Sequence, residues 1–201
     1  MTARRPLHLA ADALVVVLAG LALGGATSYA QTWLPGSLAP LANSVSGWTL
    51  LTALAVASRR PGLRWGAVLG AASFVSLVLG YTAVSEARGW TYDPTLWGAV
   101  GVVAGPFVGA ATAGLVGRPP LPRALGAGAL AGVLLADGLR GLTVVADSTS
   151  PVSWSLCLAV GLLGLAAATT RLPTARHRLA AVATLAVAAS TIGLGCATVL
   201  G

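Results

Sequence analysis

Seven long apolar stretches, parted by short polar gaps, run the length of the chain. The pattern predicts helices over Leu7–Tyr29, Leu41–Ala57, Leu63–Ser85, Pro94–Val116, Ala124–Ala146, Pro151–Thr170 and Leu179–Leu200. At ~1.5 Å per residue, ~20 apolar residues cross ~30 Å of hydrocarbon, which is the scale of these stretches. Proline supports the division, because it fits the first turn of a helix and damages the middle. Pro6, Pro40, Pro61, Pro94, Pro122, Pro151 and Pro173 each fall near an expected start, with Asp93 and Ser150 placed as N-caps. Pro106, after Gly105, stands inside the fourth helix, where a kink is expected.

The polar gaps orient the helices. All 12 basic residues are arginines, and ten of them (Arg4, Arg5, Arg59, Arg60, Arg64, Arg118, Arg123, Arg171, Arg176 and Arg178) sit in every second gap, leaving Arg88 and Arg140 for the others. Cytoplasmic loops are enriched in Lys and Arg, so the expected topology has the amino terminus inside and the carboxyl terminus outside. Composition agrees: 56% of residues are hydrophobic, 8% are charged, and mean hydropathy is +0.85. The fold expected is a single-domain, all-α bundle of seven transmembrane helices spanning residues 1–201, in a bacterial cytoplasmic membrane.

The amino-terminal segment imitates a secretion signal, with Arg4, Arg5 and Ser28-Tyr29-Ala30, and is read here as a retained first helix. The net charge of +7 is assigned to the cytoplasmic rim facing anionic headgroups, and no aromatic-basic pattern suits nucleic acid. Small residues supply close helix contact where lipid gives no hydrophobic drive. Gly101, Gly105 and Gly109, and then Gly128 and Gly132, are expected to meet neighbours inside the bundle, with dimerisation through the same stripes as the competing reading.

Function is sought where polar groups enter the membrane. Eight of the nine Trp and Tyr residues fall on the extracytoplasmic side, which favours a cavity open there over a simple aromatic belt. Asp137 lies ~20 Å along the fifth helix, where a carboxylate costs ~2.5–3.5 kcal/mol and should face the bundle interior. It either pairs with Arg140, three residues on, and stays ionised, or Arg140 snorkels outward and leaves a neutral proton donor. Glu86 and Asp147, near helix ends, are the substitute acids. Asp12 is expected to pair locally with His8.

Absences narrow the chemistry. There is no DDxxD run, no phosphate-binding Gly-Lys loop, no HExxH and no lysine, and both histidines, His8 and His177, belong to the inner side, so no metal or other cofactor is implied. Cys157 and Cys196 fall near the outer ends of helices six and seven, as a disulfide or as free packed thiols.

The segments LAPLANSVSGWTLL (38–51) and LLADGLRGLTVVADST (134–149) resemble an uncharacterised family of small polytopic membrane proteins from high-GC bacteria. The resemblance covers helices one to six and implies an acidic residue at Asp137. In architecture alone the chain is similar to membrane-bound terpene cyclases, seven-helix proteins that start cyclisation with a carboxylic acid and no metal; no motif is shared.

The leading expectation is therefore a metal-independent cyclase of a lipophilic prenylated substrate. Asp137 is its expected acid, or Glu86 or Asp147 in its place. Asn43 and Arg140 would orient the substrate in a pocket walled by Trp48, Tyr81, Trp97 and Trp154. The alternative is a binding or transport protein, such as the substrate-capture subunit of an importer, with the same cavity holding a small amphiphile. The bilayer, a lipophilic small molecule, and either a second copy or a partner subunit are the expected partners.

Overall fold

The computed structural model describes residues 6–199, with side chains over 7–196, so Arg4, Arg5 and Leu200 lie outside the described residues. All regular structure among the described residues is helical: α1 (Pro6–Trp33), a short 3₁₀ helix (Ala39–Asn43), α2 (Val45–Arg59), α3 (Leu63–Ala87), α4 (Thr95–Val116), α5 (Pro120–Thr143), α6 (Pro151–Thr169) and α7 (Ala175–Val199). Every α-helix except α2 is long and apolar enough to cross a membrane. The protein is a multi-pass membrane protein. Pro120 and Pro122 sit in the first turn of α5 rather than before it, and α4 continues unbroken through Pro106.

One expected helix is divided. The stretch Leu41–Ala57 breaks at Ser44, whose backbone is extended (φ −116°, ψ 155°) and whose hydroxyl accepts from the Gly47 amide 2.9 Å away. What remains as α2 has 15 residues, about 22 Å of helix and short of a span. Its first turn is consequently inside the protein, with Ser44, Ser46, Trp48 and Thr49 all buried.

The helices alternate direction, and glycines bring their backbones together. Gly66 and Gly70 of α3 meet Gly105 and Gly109 of α4. Gly20, Gly24 and Gly80 join α1 to α3, while Gly128 and Gly132 of α5 approach Ala181, Leu185 and Ala188 of α7. Both predicted small-residue stripes are thus buried within the chain, as close approach without a hydrophobic drive requires. The helix connections put Arg59, Arg60, Arg64, Arg118, Arg123, Arg171, Arg176 and Arg178 at one end, here the arginine end. The other is the aromatic end.

At the arginine end Asp12 is buried and its Oδ1 accepts from Arg59 Nε at 2.7 Å, tying α1 to α2. This replaces the expected local pair with His8, which is exposed. A guanidinium from a packed neighbour offers two donors and full charge, which an imidazole one turn away on the same helix does not.

Candidate functional site

The first turn of α2 organises the aromatic end. A helix start leaves backbone N–H groups without intrahelical partners, and these must be satisfied if buried. Ser44 takes the Gly47 amide. The Ser46 amide is taken by Asp137 Oδ2 of α5, at 2.8 Å and across 91 residues of sequence. Asp137 is only 4% exposed, so its side-chain oxygen satisfies a helix-start amide in a dry setting, where an unmade hydrogen bond would be costly. Arg140 forms no ion pair with it among the described residues, leaving Asp137 bound to a helix end and not to a guanidinium.

The turn before α2 folds back tightly over it. A Cβ at Gly47 would overlap the Leu41 carbonyl oxygen, and Trp48 Nε1 donates to Ala42 O at 3.2 Å. Ser153 of α6 donates to Ser37 O at 2.9 Å, fixing the preceding loop. Trp48 then stands beside Phe74 (ring centroids 5.9 Å apart) and Tyr81 (5.8 Å), and Tyr81 meets Tyr92 edge-on at 4.7 Å.

Beside this turn lies a cavity of about 200 Å³. Asn43, Trp48, Phe74, Tyr92 and Trp97 line one side, with Thr191, Ile192 and Cys196 of α7 facing them. α4 and α7 both contribute wall, yet they do not pack on each other. α7 is fixed chiefly to α5, and little of it is buried.

The expected site residues divide. Asn43, Trp48 and Trp97 line the cavity. Tyr81 packs behind Trp48 and accepts from Gln31 Nε2 at 3.1 Å, while Trp154 fills the α5–α6 seam over Gly141 and donates to Thr149 Oγ1 at 2.8 Å. Asp137 is not among the lining residues; it lies one turn beyond the wall residue Val133 on α5, bound to the Ser46 amide. Glu86 and Asp147 are exposed, and Arg140 is half-buried in the last turn of α5. Tyr29, Trp33 and Trp90 are exposed, so the aromatic bias of this end combines an outward belt with an inward cluster.

Several contributors carry no local sequence signal. Phe74, Tyr92, Thr191, Ile192 and Cys196 come from three different segments and meet only through packing. Ser46 has a second unusual feature, a buried hydroxyl without a hydrogen-bond partner. Both cysteines are free thiols: Cys157 is buried in α6 and Cys196 is in the cavity wall. Arg88, one of the two arginines outside the alternation, donates to Ser28 O and to Thr32 Oγ1 (2.9 Å) and lies 4.4 Å from the Tyr29 ring centroid. It thereby neutralises the carboxyl end of α1.

In the loop between α3 and α4, burial first, then Tyr81 and Asp93, push the Tyr92 phenol up to about 12. Thr95, through its side chain first and then its amide, from which Asp93 accepts at 2.9 Å, holds the Asp93 carboxyl below the usual range. The amide bond to Asp93 satisfies a free N–H at the start of α4, although Pro94 occupies the cap position itself. No group of three or more His, Cys, Asp or Glu able to hold a metal occurs among the described residues.

No curated protein and no solved structure matches the chain. A family model described as a family of unknown function, DUF6518, matches residues 3–200, and the chain belongs to that family.

Proposed function

We propose that the protein is a membrane-embedded binding protein for a small lipophilic ligand, which enters the cavity sideways from the bilayer between α4 and α7. The observation that carries this reading is the aromatic-walled space of about 200 Å³ between two helices that leave a gap. That volume exceeds the ~150 Å³ that accepts a benzene and falls below the ~300–1,000 Å³ of drug-sized sites, which suits a single ring or a short chain. Asn43, Ser44, Thr49, Tyr92 and Thr191 place polar groups in a mainly apolar wall, as an amphiphile requires. We place the arginine end at the cytoplasmic face, which sets the cavity in the extracytoplasmic half.

A cyclase acting on a prenylated chain would need a proton donor in that wall. The lining residues include no carboxylate, and Asp137 is engaged by the Ser46 amide. Binding without chemistry, as in the capture subunit of an importer, is the reading we favour. A mass change in a prenylated substrate incubated with the isolated protein would restore the cyclase.

Gly195 lines the cavity, and a Cβ there meets nothing within 4 Å. Gly195→Leu therefore fills the space without moving a helix. The reading expects native mass spectrometry of the purified protein to show a retained small lipophile that this variant loses, at an unchanged melting temperature. Equal retention by both proteins would overturn it.

A further inference from the structure

A second space of about 260 Å³ lies in the opposite half of the bundle. Leu54 and Ala57 of α2, Leu115 and Val116 of α4, and Val160 and Leu165 of α6 are among its walls, with α5 as its floor. Its one polar wall residue, Thr112, already donates to Val108 O at 2.8 Å. α2 and α6 flank the space without packing on each other, so it is a groove open to the acyl region of the bilayer.

Several arginines at its end are held by partners within the protein. Arg59 is bound to Asp12, Arg123 to Gly117 O and Arg178 to Leu172 O. Arg118, two residues beyond the groove residue Val116, and Arg171, six beyond Leu165, are exposed, and neither guanidinium has a hydrogen bond or ion pair among the described residues. An apolar furrow with two exposed guanidiniums a few residues beyond its walls matches one chemistry, a hydrocarbon chain with an anionic head.

We propose that the groove between α2 and α6 is a site for an anionic phospholipid, with one acyl chain along α5 and the phosphate between Arg118 and Arg171. Charge separates this lipid from its zwitterionic neighbours, since a basic residue near an anionic surface is worth about fivefold in affinity, or ~25-fold for two. The groove is separate from the aromatic-end cavity and does not depend on what that cavity binds.

The test uses the full chain in nanodiscs of equal phosphatidylglycerol and phosphatidylcholine, followed by native mass spectrometry of the lipid retained on release. Preferential retention of phosphatidylglycerol is expected. Arg118→Gln with Arg171→Gln should lower the preference by about 25-fold while leaving lipid bound. Gly164 lines the groove and has open space around its Cβ position, so Gly164→Leu should remove retention of both lipids. Val160→Trp is the second blocking variant should Gly164→Leu fail to fold. Equal retention of the two lipids by the unaltered protein, or unchanged retention in both blocking variants, overturns the proposal.

Discussion

The two ends of α2 are each held by a buried aspartate from another helix, but the partners differ. At the arginine end Asp12 meets a side chain, Arg59, which is 34% exposed and can turn to water. At the aromatic end Asp137 meets a backbone amide that cannot move without the helix. A lost side-chain partner can be replaced by solvent, whereas a buried N–H with no acceptor keeps its full desolvation penalty. The amide-capped end is therefore the rigid one, and it frames the cavity.

The largest expected effect comes from forcing apart the turn that makes that end. Gly47→Val places a branched side chain against the Leu41 carbonyl and should destabilise by about 3 kcal/mol or more, read as loss of monodisperse protein in detergent. Asp137→Ala comes next, at about 1–3 kcal/mol in thermal unfolding, because the Ser46 amide then has no partner. Asp12→Ala should be milder, about 1 kcal/mol, since a part-exposed guanidinium regains water. An Asp12→Ala loss as large as that of Asp137→Ala would erase the distinction between the ends.

The smallest effect is a titration. Tyr92 ionises late when folded, so its contribution to stability is complete below its ordinary value of 10.0 and is lost as pH rises through about 12. A difference ultraviolet titration of the unaltered protein against Tyr92→Phe should show one phenolate transition near pH 12. A transition near 10.0 would mean that Tyr92 is solvated and does not form a wall of the cavity.

The helices were legible because arginine placement and proline starts are local signals that survive in sequence order. The break before α2 was not, since LAPLANSVSGW is apolar enough to pass as a continuous helix. Ser44 with Gly47 three residues later was the available hint, a cap hydroxyl beside a residue that admits close backbone approach. Asp137 stood out as a buried acid; spacing offered Arg140 on its own helix as one of two readings, and neither included its partner, the Ser46 amide 91 residues away. The same limit hid Arg59 from Asp12. The gap between α4 and α7 depends on which non-consecutive helices touch, and no periodicity encodes that. The two segments 38–51 and 134–149, which carried the family resemblance, turn out to meet through Asp137 and Ser46.

The central claim is that Asp137 serves as the cap of α2, and Asp137→Asn measured beside Asp137→Ala tests it most directly. An amide oxygen caps a helix about as well as a carboxylate, whereas it cannot supply a proton as an acid does. The account predicts that Asp137→Asn keeps a near-native melting temperature and retains the cavity ligand, while Asp137→Ala loses both. An Asp137→Asn protein that melts as low as Asp137→Ala, or that stays folded but loses a measured chemical turnover, would contradict it.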